Sequence, residues 1–531
     1  MKNILYTLIA ICILGLVACD KFLEEKPRSE PSTDDFFQSA SDGYASVNIL
    51  YRKGVSKFLN GEGVYFGSRA MIPGFMSGLF DNGYKGQEQF ILHCQDMTID
   101  ANVDNAILQE LWKDCYEAIV RNANYALKNL PECPGLTDSE KKQLIGEVKF
   151  FRAWNYFFLV KLFGPIPVIT VTNDKSINEV DLYVRRNTEA KVYNQIVEDL
   201  LDAMEAGLTD KPMWDNGYRV SKGSVAALLA DVYLNMAGYP VNDISKYAEA
   251  AKIAGSLISN SNYALIEHID KNENSAYNIL RTSDSQKEYL YSKEFDKVIS
   301  NGGWKPVWGF PNEAASWDEF TYSITNVPYD PVSILHAAYD KVNDLRYQEH
   351  QYFQSYYTQT KGDNEGVVRD LAGKKPYFWW EPEAALRTNQ SEKDLVHYRL
   401  AEMYLIAAEA IVKSTGSVNS DAIDYLATIE ARASLNKDIN TIKSELSVLT
   451  PDEFVTEVWT EKIRELIFEN KIWNDITRTR MYPSVVSGQF GFVNLIGATN
   501  PWGKTFSESK LLLPIPSQEM QRNPALSEPP L

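Results

Sequence analysis

Histidine and cysteine are scarce in this 531-residue chain, with five of each. His93, His268, His336, His350 and His397 are scattered, and even His336 and His350 are fourteen residues apart. No spacing supports a histidine triad or a zinc site. HExxH, GxSxG, P-loop and post-strand GxGxxG motifs are all missing. Cationic side chains are also short: 53 Lys and Arg stand against 71 Asp and Glu, a net charge of −18 with a pI near 4.9. That balance excludes a nucleic-acid surface built on counterion release and disfavours direct attraction to anionic lipid. No run of 18 apolar residues occurs, so nothing reads as a membrane-spanning helix. Among so many carboxylates the pair a glycosidase needs cannot be singled out, and doublets such as Glu24-Glu25 and Asp34-Asp35 read as solvated charge.

Aromatic side chains, by contrast, are plentiful: 30 Tyr, 23 Phe and 11 Trp. With 44% hydrophobic residues the chain is long and apolar enough for a large core, and the ring excess points to flat stacking surfaces rather than acid–base chemistry.

The chain opens with Met1-Lys2-Asn3 and an apolar run from Ile4 to Val17, the pattern of a secretory signal. The run closes on Leu16-Val17-Ala18-Cys19, which resembles a bacterial lipobox; residues 1–18 are expected to be removed and Cys19 lipidated. Acyl chains contribute about 0.8 kcal/mol per buried CH₂, so such an anchor holds an acidic protein on a membrane without a basic patch. Residues 19–35, charged and proline-bearing, read as a lipidated linker. Cys94, Cys115 and Cys133 then remain, with no metal spacing, and are expected to be buried and unpaired.

Beyond the linker, helical periodicity dominates. Thr137 and Glu140 have capping-box spacing, Leu144, Val148, Phe151, Phe158 and Leu162 share a helical period, and Gly164-Pro165 supplies a stop, predicting a helix near 139–163. Aromatics on nearly every face of it require cover on most sides. Further helices are expected at about 107–130, 188–207, 221–237, 244–259, 394–413, 420–434 and 452–480. Alanines recur at packed positions (Ala226, Ala227, Ala230; Ala250, Ala251, Ala254; Ala401, Ala407, Ala408, Ala410), as stacked helix pairs of the tetratricopeptide kind require. Segments of about 60–100 and 270–392 lack that period and concentrate Gly, Trp and Tyr. Within them Glu288–Phe295 reads as β-like, and Phe378-Trp379-Trp380 as a buried strand.

Six blocks, in order, resemble the SusD/RagB family of outer-membrane nutrient-binding lipoproteins. They begin at Cys19 (CDKFLEEKP), Glu147 (EVKFFRAWNYFFLVKLFGPIPV), Arg219 (RVSKGS), Tyr398 (YRLAEMYLIAAEA), Glu461 (EKIRELIFEN) and Leu511 (LLLPIPSQEMQRNP). Asn470 stands where the family usually has glycine, and Asn also tolerates the left-handed conformation of a helix end. The resemblance implies a mainly α, single-domain fold over 36–531. About four tetratricopeptide-like helix pairs, mainly in 107–260 and 394–480, would carry a loop-rich aromatic ligand face. It also implies a lipid-anchored protein exposed on the outer membrane, which captures oligosaccharides, or in some members peptides, for a SusC-like TonB-dependent transporter. Such a protein needs no cofactor, nucleic acid or bond chemistry; a lipid-anchored glycoside hydrolase and a purely structural adaptor are the competing readings.

A pyranose packs its C–H face on an aromatic ring while its hydroxyls seek amides, carboxylates and guanidinium groups at the rim. Two loop stretches interleave these types. Tyr65, Phe66, Arg69, Phe80, Asp81, Asn82 and Tyr84 form one; Trp304, Trp308, Asn312, Trp317 and Asp318 form the other. The expected ligand residues are Trp304, Trp308 and Trp317 first, with Tyr65, Arg69, Asp81, Asn82 and Tyr84. Arg152, Trp154, Arg399, Glu402 and Arg464 are assigned instead to holding the helices together.

Overall fold

The computed structural model describes residues 36–55, 71–82, 89–172, 183–296, 310, 314, 316–320, 329–388 and 390–531. The main helices are α1 (Asn105–Tyr116), α2 (Asp138–Phe163), α3 (Glu189–Met204), α4 (Lys222–Ala237), α5 (Lys246–Ile258), α6 (Leu400–Thr415), α7 (Ser420–Ala433), α8 (Ile439–Leu446), α9 (Pro451–Leu466) and α10 (Ile472–Thr479). Each packs on its neighbour in turn, α1 on α2 through to α6 on α7 and α9, and α7 on α8. This is the helix-pair stack expected from the alanine pattern. Ala226, Ala227, Ala230, Ala250, Ala254, Ala401, Ala407, Ala408 and Ala410 are all buried, which lets the axes approach closely.

The longest helix, α2, begins where the sequence predicts. Thr137 Oγ1 accepts from the Glu140 amide at 3.3 Å while Glu140 Oε2 accepts from the Thr137 amide at 2.8 Å, a reciprocal capping box. It ends at Gly164, whose φ of +70° calls for glycine. Between these ends Phe150, Phe151, Trp154, Tyr156 and Phe157 are buried on several faces, as an aromatic helix needs.

Among the described residues the strands form four antiparallel pairs: β1 (Phe80–Asp81) with β3 (Asp330–Pro331), β2 (Tyr289–Lys293) with β6 (Leu395–Arg399), β4 (Phe353–Thr358) with β5 (Val368–Pro376), and β7 (Met481–Val486) with β8 (Gln489–Asn494). Three sequence expectations are corrected here. The segment 394–413 is not one helix: Leu395–Arg399 pairs with β2, the Leu400 amide donates to the Glu288 carbonyl at 2.8 Å, and only then does α6 start. The segment 452–480 is two helices. Arg399 Nη2 (2.8 Å) and the Tyr352 hydroxyl (3.2 Å) both donate to the Glu465 carbonyl, withdrawing it from the helical ladder. The chain then turns through Asn470 at φ +59°, the left-handed conformation anticipated at that position. Finally, Phe378-Trp379-Trp380 is a turn. Pro376 ends β5, the Trp380 amide donates to the Tyr377 carbonyl at 2.9 Å, and Trp379 is buried against Phe468.

Buried charge ties the stack together, as assigned from sequence. Arg152 of α2 pairs with Asp199 of α3 at 2.6 Å, and Glu402 of α6 with Lys471 at 2.9 Å. Arg399 spans Glu288, Glu465 and Glu469 at 2.7–2.9 Å; Arg346 and Arg432 share Glu465. Burial pushes the Glu465 carboxyl upward, but Arg432, Arg399 and Arg346 outweigh it and hold it at about 2. Cys94, Cys115 and Cys133 are buried thiols, as expected.

Candidate ligand-binding face

The long insertion between α5 and α6 builds its exposed face on the β4–β5 hairpin. Tyr357 stands opposite Arg369 in the ladder. Beyond it the strands close through a tip in which the Gln359 amide donates to the Val367 carbonyl (3.0 Å) and the Gly366 amide to the Gln359 carbonyl (2.9 Å). Gly362 at the tip has φ +82°, and a Cβ there would lie 2.7 Å from the Asp318 carbonyl oxygen. Glycine therefore lets the tip lean over the turn at 316–320, which carries Trp317.

Glu319 locks that turn to the hairpin. Its Oε1 accepts from the Tyr357 hydroxyl at 2.8 Å and from the Thr360 amide and hydroxyl at 2.7 and 2.5 Å. Burial and the adjacent Glu319 carboxylate raise the pKa of Tyr357, so its phenol stays a donor. The clamp sets the rings in a row. Trp317 lies parallel to Tyr357 (5.9 Å, 5°), Tyr357 abuts Trp380 (5.7 Å), and Trp380 stacks with Tyr377 (6.4 Å, 23°). Phe310 is sealed beneath them, 1% exposed, with its ring 5.2 Å from both Tyr357 and Trp380. Trp317, Tyr377 and Trp380 are half-buried, so they combine packing with an open edge.

Polar groups rim the row. Arg369 Nε donates to Gln359 Oε1 at 2.7 Å while its guanidinium lies 5.6 Å from the Trp317 ring centroid. Arg281, from the helical turn Ala276–Thr282, covers Tyr377 at 4.2 Å, with Nε on Asn278 Oδ1 (2.5 Å) and Nη1 on the Trp380 carbonyl (3.0 Å). Gln359 Nε2 and Glu319 Oε2 are buried without a hydrogen-bond partner. Rings, an amide and two guanidinium groups make a reversible gripping surface; they supply stacking and hydrogen bonds.

Of the residues expected from sequence, Trp317 sits in this row and Asp318 is exposed beside it. Asp81 and Asn82 are elsewhere. Asp81 is half-buried in β1 opposite Asp330, Gln95 Nε2 donates to its Oδ1 at 3.2 Å, and Asn82 is only 8% exposed. Asp330 takes Lys375 of β5 at 2.6 Å, so Asp81 and Trp317 are associated with opposite ends of β5, ~20 Å apart along the strand. Phe80, also in that loop, is fully buried and stacked on Tyr329 at 3.9 Å. Trp304, Trp308, Tyr65, Phe66, Arg69, Tyr84 and Asn312, and the lipidation candidate Cys19, lie outside the described residues. Sequence reasoning missed Tyr357, Tyr377, Arg281, Gln359 and Arg369. The hairpin had a signal, alternating Phe353–Thr358 and Val367–Arg369 around Gly362 and Gly366, but Arg281 reaches the rings only through the fold.

A cavity of about 340 Å³ elsewhere is lined by Asp340, Arg346, Glu430, Glu457, Glu461 and Arg464. Its carboxylates are largely committed: Arg346 holds Glu461 at 2.7 Å and Arg464 holds Glu457 at 2.5 Å. Burial and the neighbouring Glu457 and Glu461 raise the pKa of Glu430 well above its ordinary value. That cavity reads as part of the scaffold. Among the described residues no helix is long and apolar enough to cross a membrane.

Comparison with known proteins bears on both scaffold and face. A family model described as "Starch-binding associating with outer membrane" matches residues 76–234, and the model "SusD family" matches 341–531. SusD-like protein P2 of Formosa agariphila is 26% identical, the alignment covering 98% of each chain. The starch-binding protein SusD of Bacteroides thetaiotaomicron is 22% identical over 90% of this chain and 89% of that one. Among solved structures, a SusD superfamily protein from Parabacteroides distasonis superposes with TM-score 0.76 at 28% identity, covering 92% of this chain and 98% of that one. Surface glycan-binding protein A of B. thetaiotaomicron, solved with laminarihexaose, shares the fold at TM-score 0.67 and 18% identity, covering 91% of this chain and 98% of that one.

Proposed function

The chain belongs to the SusD/RagB family, and from that premise we propose that it is a surface lipoprotein that binds oligosaccharides and passes them to a SusC-like TonB-dependent transporter without breaking a bond. The row Trp317–Tyr357–Trp380–Tyr377 carries the reading. Trp317, Trp380 and Tyr377 keep open edges around the buried Tyr357, and centroid spacings of 5.7–6.4 Å set the rings side by side, a platform on which sugar rings can pack. The relatives' names point the same way: one binds starch and a structural neighbour holds laminarihexaose. Trp304 and Trp308 belong to the same insertion in sequence and are proposed to extend the site, with Tyr65, Arg69 and Tyr84 of the Gly-rich loop as further candidates; Asp81 and Asn82, held in and beside β1 away from the row, are withdrawn from it. Cys19 supplies the acyl anchor, which fits the outer-membrane association in the family description.

The test is retardation of the protein in native gels cast with polysaccharides, starch and laminarin among them, followed by calorimetry on oligosaccharides of any polymer that retards it. Replacing Trp304, Trp308 and Trp317 with Ala is expected to abolish binding with the helical circular dichroism unchanged; retained affinity places the site elsewhere. Binding of peptides in place of glycans would favour the peptide-binding members as the better comparison. Turnover of a bound oligosaccharide would contradict the purely binding role.

A further inference from the structure

The six arginines that tie the helices together, Arg152, Arg346, Arg399, Arg432, Arg464 and Arg478, each lie 2.5–2.7 Å from a carboxylate. In so acidic a chain a counter-ion is easily found. Among the described residues, the two guanidinium groups at the aromatic row have none. Arg281 is held by neutral groups, Asn278 Oδ1, the Trp380 carbonyl and the hydroxyl and ring of Tyr377. Arg369 is held by Gln359 Oε1 and the Trp317 ring. No ion pair to either forms among the described residues. Of the acids on the clamp and the hairpin, Glu319 accepts on Oε1 from Tyr357 and Thr360 while its buried Oε2 has no partner, Asp370 Oδ1 accepts from the Ala372 amide at 2.8 Å, and Asp318 faces solvent.

A partly buried cation without a counter-charge loses hydration and gains little in return. For Arg281 the effect is visible: burial lowers its pKa, and only the Tyr377 phenol opposes the shift. The neutral anchors occupy Nε of both residues and Nη1 of Arg281, leaving the terminal nitrogens of Arg369 unspent. A guanidinium fork matches a carboxylate or sulfate with two parallel N–H···O bonds, and stacking on a ring holds its plane ready. Gln359 Nε2, 1% exposed as a residue and without a partner, adds another donor next to Arg369.

Resting on the glycan-binding reading above, we propose that the ligand of this face is an acidic oligosaccharide, whose carboxylate or sulfate groups are taken by Arg369 and Arg281 while its rings pack on the open edges of Trp317, Trp380 and Tyr377. The chain's net charge of −18 does not forbid this, because salt at physiological strength screens charges beyond about 8 Å and the local guanidinium groups decide the contact.

The experiment is native-gel retardation and calorimetry of the mature protein in detergent against four polymers: polygalacturonate (carboxylate), a carrageenan (sulfate), and laminarin and starch (neutral). The expected result is retardation by an acidic polymer at least about tenfold stronger than by either glucan, weakening as salt rises. Which acidic polymer binds assigns the anion. Arg369→Gln should weaken that binding about tenfold and flatten its salt dependence, the loss of one charge-assisted contact, while Arg369→Lys restores part of it. Arg369 is half-exposed, so its variants fold; unchanged melting confirms it. Arg281→Gln is the second variant, read only if its melting is also unchanged. Glucans bound as tightly as the acidic polymers, or uronate and sulfate binding untouched by Arg369→Gln, overturns the anion assignment and leaves glycan binding standing. No retardation by any of the four overturns both.

Discussion

Two parts of this molecule bring arginine against aromatic rings and treat the charge in opposite ways. At the junction of β2, β6, α7 and α9, Arg346 and Arg432 lie 5.9 and 5.5 Å from the Tyr277 ring, and with Arg399 they share Glu288, Glu461, Glu465 and Glu469 in a nearly sealed network. At the β4–β5 face, Arg281 and Arg369 lie against Tyr377 and Trp317 with neutral partners alone. The first arrangement satisfies every charge internally and so specifies a fold. The second keeps cationic donors in reserve at an open aromatic edge, where a ligand can complete them.

The sharpest way to break the comparison is at the junction. Arg399→Met leaves Glu288, Glu465 and Glu469 without their common cation and should destabilise by about 3–5 kcal/mol in urea unfolding. A cost below about 1 kcal/mol would mean the network relaxes freely and the contrast fails. Next comes pH. With Glu465 held at about 2 against an ordinary 4.5, its contribution is complete above about pH 4.5 and drains away as pH falls toward 2. Near the root of the ligand insertion the sign reverses. Glu294, at the end of β2, is pushed up to about 9 by burial and by Asp394, which itself rises to about 6 mainly through burial. The protonated pair contributes fully below about pH 4.5 and is lost as pH rises toward 9. Thermal melting across that range should show both limbs, and Glu294→Gln should flatten the alkaline one only. A smaller effect belongs to the scaffold's best-read feature: Thr137→Ala removes the α2 cap and should cost about 1 kcal/mol. The smallest is expected at the face itself, where Arg369→Gln should change unfolding by less than about 0.5 kcal/mol while acting on binding.

Periodicity and capping made the scaffold legible. Thr137, Glu140 and Gly164 bound α2 because capping chemistry is local, and the buried alanines of α4, α5 and α6 report close helix packing directly. Legibility failed where a distant group decided a local outcome. The helical pattern through Glu465 breaks because Arg399 and Tyr352, 66 and 113 residues away, take its carbonyl. At the face, Trp317 was recognisable as an aromatic in a polar loop. Asp81 and Asn82 had the same local composition, but Asp81 folds into β1 against Gln95 and Asn82, just beyond it, into near-complete burial.

Residue types and their spacing along the chain were enough to determine a helical stack of closely packed pairs, because caps, helical periods and small-residue seams act within a few turns; the family was legible only through the resemblance of six sequence blocks. Which rings line up, and which arginines reach them without a carboxylate, was decided only when the hairpin tip closed over the 316–320 turn and Ala276–Thr282 was laid alongside Tyr377. Stacking and charge pairing act across space, and chain order carries no record of a contact between residues 281 and 377.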